Sequence, residues 1–125
     1  MVKDVSAQSN VITNIGAGRF KLRSVYIRQE NQTSPAMYLQ IFNKANGNPG
    51  GDTPDEVIFM PAVVNPFAPM VKRVKISGSN PYAGLFDTGL SFAVCTSPIN
   101  GVDVGATKRP FIRIDYDGST KGGAV

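Results

Sequence analysis

Residues 85–95 read Leu-Phe-Asp-Thr-Gly-Leu-Ser-Phe-Ala-Val-Cys: a short strand, a glycine-centred turn, and a second strand whose apolar residues alternate at period two. Alternation of this kind buries one face of a strand and cannot line one side of a helix. Similar short apolar segments recur from Phe20 to Tyr116, each closed by Gly, Pro, Asn or Asp. No window carries apolar residues at helical spacing over three turns. The pattern predicts an all-β chain, a single β-sandwich of jelly-roll or Greek-key type with about eight strands. Connections too long for simple hairpins argue against an up-and-down barrel.

Strand parity locates the irregularities. Between residues 19 and 29, Phe20 and Leu22 share one parity while Val25 and Ile27 share the other, so a regular strand cannot send all four into one core. A β-bulge near Arg23 and Ser24 restores the register. Residues 36–43 carry Met37, Leu39 and Ile41 on one face and Tyr38, Gln40 and Phe42 on the other, which predicts a central strand covered on both sides. Residues 43–55 form a Gly- and Asn-rich loop, expected to be exposed and mobile unless a partner holds it. Pro61 interrupts two β-rich pieces, 56–60 and 62–64, and places them at a bend or a sheet edge. Further strands are expected at 11–15, 70–76, 82–86, 90–96 and 110–117. The domain is therefore assigned to residues 11–117, with a flexible N-terminal arm (1–10) and a flexible C-terminal tail (118–125).

With 125 residues the chain has room for one domain, and its 13 Gly and 9 Pro act as turn punctuation. Residues 1–8 lack the apolar core of a signal peptide, and no apolar run approaches a membrane span, so synthesis in a cytoplasm and no membrane partner are expected. A single cysteine, Cys95, cannot form an internal disulfide. Its parity with Ser91 and Ala93, opposite Leu90, Phe92 and Val94, predicts a buried thiol without an activating base.

The chain contains no histidine, which removes the usual general base, the His-containing triads and every His-based zinc site. Asp115 and Asp117 lie about 7 Å apart along one strand face, loosely the spacing of a glycosidase pair, but Arg113 shares that face and they read as solvated charges. Asp52, Asp55 and Glu56 match no calcium-loop spacing. The glycine clusters at 16–18 and 47–51 lack the Lys-Ser/Thr or the helix that phosphate cradles use. No catalytic residue, cofactor or metal is expected, and the protein is not expected to be an enzyme. The formal charge of +4 permits an acidic partner. Basic residues gather at Arg19, Lys21 and Arg23, at Lys72, Arg73 and Lys75, and at Lys108-Arg109. Phe20 alternates away from Arg19 and Lys21, so the first group reads as a wet or protein-facing strand face and nucleic acid is not the expected partner.

Three stretches carry a resemblance: Phe20-Lys21-Leu22-Arg23-Ser24-Val25-Tyr26-Ile27, Met37-Tyr38-Leu39-Gln40-Ile41-Phe42-Asn43, and Phe86-Asp87-Thr88-Gly89-Leu90-Ser91-Phe92-Ala93-Val94. In them the chain resembles the small all-β decoration or cement proteins of tailed-bacteriophage capsids. The resemblance implies a structural virion protein on the capsid surface. It would bind the major capsid protein, stabilise the shell and form a homo-oligomer around a symmetry axis. The alternative is a carbohydrate- or receptor-binding β-sandwich module of a phage fibre, since jelly rolls host both roles. No functional residue transfers from the family. The candidate partner-binding residues come from the chain itself: Pro66, Phe67 and Pro69, a ring held between two prolines that restrict the backbone.

Overall fold

A computed structural model describes residues 2–5, 13–29, 33–48, 51–68, 70–76, 85–99 and 110–119. They contain nine strands: β1 (Val2–Val5), β2 (Thr13–Ala17), β3 (Arg19–Gln29), β4 (Met37–Phe42), β5 (Glu56–Met60), β6 (Met70–Lys75), β7 (Leu85–Phe86), β8 (Gly89–Cys95) and β9 (Phe111–Ser119). The strands form two antiparallel sheets, ordered β1-β9-β3-β6 and β2-β8-β4-β5, with the short β7 paired to β3. First pairs with last throughout: β1 with β9, β2 with β8, β3 with β6 and β4 with β5. These ribbons fall alternately into the two sheets. A long antiparallel ribbon folded over in this way is a jelly roll, the first of the two sandwich types expected.

Packing follows the alternation. Leu22, Ile27, Ile112 and Ile114 from one sheet meet Leu39, Ile41, Leu90 and Phe92 from the other, all buried. Each such side chain contributes about 2–3 kcal/mol by leaving water. The bulge in β3 is present: its register against β9 shifts between Leu22 and Ser24, which brings Phe20 and Leu22 into the same core as Val25 and Ile27. β4 is central and buried on both faces at Leu39, Gln40, Ile41 and Phe42. β8 is buried at every position, so Cys95 is a packed thiol, as its parity predicts.

Several sequence expectations need correction. Four of the ten residues of the expected N-terminal arm form a strand, because Val2–Val5 pairs with residues 112–115 of β9. Edge pairing is made by backbone groups and needs no apolar pattern, so a polar segment can supply it. Residues 6–10 lie outside the described residues. Two residues assigned to the tail are strand, since β9 runs on through Gly118 and Ser119 opposite Phe20 and Arg19. The Phe20 ring lies where a side chain at Gly118 would point, so only glycine lets the strand continue there. Residues 120–125 are not described. The second β-rich piece shrinks to one bridge, Ser34 with Val63, because Pro61 cannot donate to a ladder. β2 starts at Thr13 and runs to Ala17, and of the strand expected at 82–86 only Leu85–Phe86 falls within the described residues.

Candidate functional site

Antiparallel pairing sets which connections share an end of the sandwich. β8 runs parallel to β5, because both are antiparallel to β4. The β5–β6 connection and the residues after β8 therefore lie at one end, and the β2–β3, β4–β5 and β7–β8 connections lie at the other.

The second of these ends is knitted together by polar groups. The Asn43 amide nitrogen donates to Asp87 Oδ1 at 2.9 Å, and its Oδ1 accepts from the Thr88 and Gly89 backbone N–H groups at 2.9 and 3.3 Å. Gly18 N–H donates to the Thr88 carbonyl at 3.0 Å. The buried Ser91 hydroxyl accepts from Gly47 N–H at 2.9 Å and donates to the Lys44 carbonyl at 2.7 Å. Asp55 accepts from Asn43 N–H at 2.6 Å, and Asp52 accepts from Lys44 Nζ and Asn48 N–H, each at 2.8 Å. The described residues of the 43–55 loop are thus fastened by the chain's own groups, where the sequence leads one to expect an exposed, mobile loop unless a partner holds it. The Lys44 ammonium, then the Asn48 amide, hold the Asp52 carboxyl below the ordinary carboxylate range. Asn43, then the Thr88 hydroxyl, do the same for Asp87. With both Asp52 oxygens engaged, this acidic group is a loop clasp. Among the described residues no group of three or more His, Cys, Asp or Glu is placed to hold a metal.

The opposite end exposes apolar side chains. Phe67 is 91% exposed, Val64 87% and Ile99 54%. Phe67 sits on a turn in which Ala68 N–H donates to the Asn65 carbonyl and Phe67 N–H donates to Asn65 Oδ1, both at 3.0 Å. Asn65 and Pro66 therefore fix the backbone that carries the ring. Pro66 is partly exposed beside it, and Pro69 lies outside the described residues. Val64 and Ile99 were not singled out from the sequence, where a lone apolar loop residue carries no signal.

A different surface gathers the cations. On the outer face of the five-stranded sheet, neighbouring positions of β6, β3 and β9 form rows: Val71, Arg28, Phe111; then Arg73, Tyr26, Arg113; then Lys75, Ser24, Asp115. Tyr26 and Phe111 meet edge to face at 6.4 Å. Arg73 lies over the Tyr26 ring with Cζ 4.9 Å from its centre, and Arg28 and Arg113 lie 5.3 and 5.9 Å from the centre of Phe111. Arg23 pairs with Asp117 at the margin. The face bounds a shallow groove of about 750 Å³. Asp115 and Asp117 do not form a unit of their own, since Asp117 faces Arg23 and Asp115 stands beside Ser24. The second basic group is split by parity. Arg73 and Lys75 stand on this face, whereas Lys72 turns between the sheets and donates to the Phe59 carbonyl at 2.7 Å. Tyr26 and Phe111 escaped the sequence reading. The bulge inferred at Arg23-Ser24 already turns Tyr26 outward, but the pairing of β9 and β6 on either side of β3 is non-local.

Among the described residues no helix is long and apolar enough to cross a membrane. Compared with protein-family models, with curated proteins and with solved structures, the chain matches none.

Proposed function

We propose that this chain is a structural virion protein, without catalytic activity, that docks on major capsid subunits and stabilises a phage shell. The observation that carries the reading is the apolar end, where Phe67 stands 91% exposed on a turn fixed by its own hydrogen bonds. A bare aromatic ring on a rigid turn is costly to leave in water and loses little entropy on docking, the properties of an interface anchor. The jelly roll agrees with this role by fold-level analogy only, since it serves capsid and lectin domains alike. The sugar-binding alternative is less favoured, because such sites stack sugars on broad planar aromatics and the chain has no tryptophan.

The test is co-sedimentation of the full chain with shells assembled from the major capsid protein of the same genome. We expect saturable binding in several copies per shell. Phe67→Ala should weaken it about tenfold or more, as loss of an anchor does. Absence of binding, or equal binding by the variant, rejects the reading.

A further inference from the structure

We propose that the outer face of the five-stranded sheet binds single-stranded nucleic acid, with bases stacking on the Tyr26–Arg73 and Phe111–Arg28 pairs and phosphates meeting the surrounding cations. This goes beyond the docking role and uses a different part of the molecule. The apolar anchor sits on the β5–β6 connection, whereas these residues stand on the outer face of β6, β3 and β9, from the row next to that end (Val71, Arg28, Phe111) toward the other end.

Charge and planarity occur together here. Arg28, Arg73, Arg113 and Lys75 share the face with two aromatic rings and with Asp115, and the second row continues into β1 at Asp4, opposite Arg113. A solvated strand face needs the charges and has no use for the rings. Arg73 is exposed, with Cζ 4.9 Å from the centre of the Tyr26 ring, so a planar cation stands over an aromatic ring before any ligand arrives. A nucleobase stacks on such a plane as it does on an aromatic ring. The dimensions suit the ligand: three rows span about 14 Å along the strands and three strands about 10 Å across them. A sheet face of this size, in other folds, stacks two or three bases. Duplex nucleic acid hides its base faces and cannot use the platform, so single strands are the ligand that the geometry selects. A purely acidic protein surface would use the charges and leave the stacked planes without a role.

The experiment measures fluorescence anisotropy of a labelled oligothymidylate of about a dozen nucleotides, titrated with the full chain at several salt concentrations. A duplex and heparin serve as competitors. We expect the oligothymidylate to bind, with log affinity falling against log salt at a slope of about −2 to −3, the value for three or four phosphates. Duplex and heparin should compete poorly at equal charge.

Arg73→Ala should weaken binding about tenfold and reduce the slope by about 0.7. Arg73→Lys keeps the charge and loses the plane, so it should weaken binding about fivefold with the slope unchanged. Arg73 is exposed on β6 and can be changed without disturbing the core. Tyr26→Leu, its fold checked by thermal melting, should weaken binding by a similar factor. Shell binding of all three variants should be unaltered, and Phe67→Ala should leave oligonucleotide binding intact, so the two proposals fail separately. No binding by the wild-type chain overturns the inference. So does competition by heparin equal to that of unlabelled oligothymidylate, or an Arg73→Lys variant that binds as well as wild type.

Discussion

The two ends of this sandwich are built from similar loop-forming residues and reach opposite results. At one end Asn43, Asp52, Asp55, Asp87 and Ser91 turn their polar groups onto backbone N–H and C=O groups and side chains of the surrounding connections. At the other end the connection after β5 satisfies itself with one Asn65 turn and leaves Val64 and Phe67 in water. The first arrangement spends its side chains on holding the fold. The second holds only its own shape and keeps an apolar surface free. Stability and partner binding are therefore assigned to opposite ends, and substitutions should separate them.

The largest expected effect is at Gly89, the first residue of β8. A Cβ there would run into the backbone of Lys44 and Ala45 and the carbonyl of Gly16. Gly89→Val should cost about 3 kcal/mol or more, because the obstacle is backbone and cannot rotate away. Urea unfolding measures it, and a loss below about 1 kcal/mol contradicts the close packing of this end. Next is Asn43→Ala, which removes the side chain's bonds to Asp87, Thr88 and Gly89. We expect a loss of about 1–3 kcal/mol by the same method, since backbone donors lose their acceptor.

A smaller effect is expected from acid. Asp52 and Asp87 have folded-state pKa values below the ordinary one, so their stabilising contribution is full above the unfolded value near 3.8. It is lost as pH falls through the lowered folded values, because between the two values the unfolded chain binds protons that the native state does not. Both carboxyls face water and the change is modest. In amide exchange followed from pH 5 downward, we expect protection at Asn48 to fall below pH 4 while β4 and β8 stay protected. Parallel loss in the core strands would mean that the clasp is not a local device.

Much of this architecture was legible in the sequence, for reasons that differ by element. The β3 bulge follows from a parity conflict among four apolar residues, and burial forces its resolution whatever the strands' neighbours are. The two-sided covering of β4 follows in the same way from Tyr38, Gln40 and Phe42 opposite Met37, Leu39 and Ile41. β1 was not legible, since Val2–Val5 joins the sheet through backbone groups that carry no side-chain code. The clasp was not legible either: Ser91 reaches Gly47 and Lys44 only because the fold brings distant segments together. Phe67 was legible as a ring on a stiff segment, but its exposure depends on where the β5–β6 connection leaves the sandwich. Tyr26 and Phe111 required the strand order β9-β3-β6 before they could be seen as neighbours.

The smallest expected effect on stability is at the open end. Phe67→Ala should change the unfolding free energy by less than about 0.5 kcal/mol, the range of surface substitutions that touch nothing buried. A loss above about 2 kcal/mol would place the ring against its own core.

The separation of the two ends is tested most directly by hydroxyl-radical footprinting of the full chain, free and bound to capsid shells. In the free chain Phe67 should be among the most heavily modified aromatic residues, with Phe42 and Phe92 nearly untouched. On shells, modification of Phe67 should fall severalfold while that of Tyr26 and Phe111 stays constant. Unchanged modification of Phe67 on shells that demonstrably carry the protein would contradict the assignment of docking to that end.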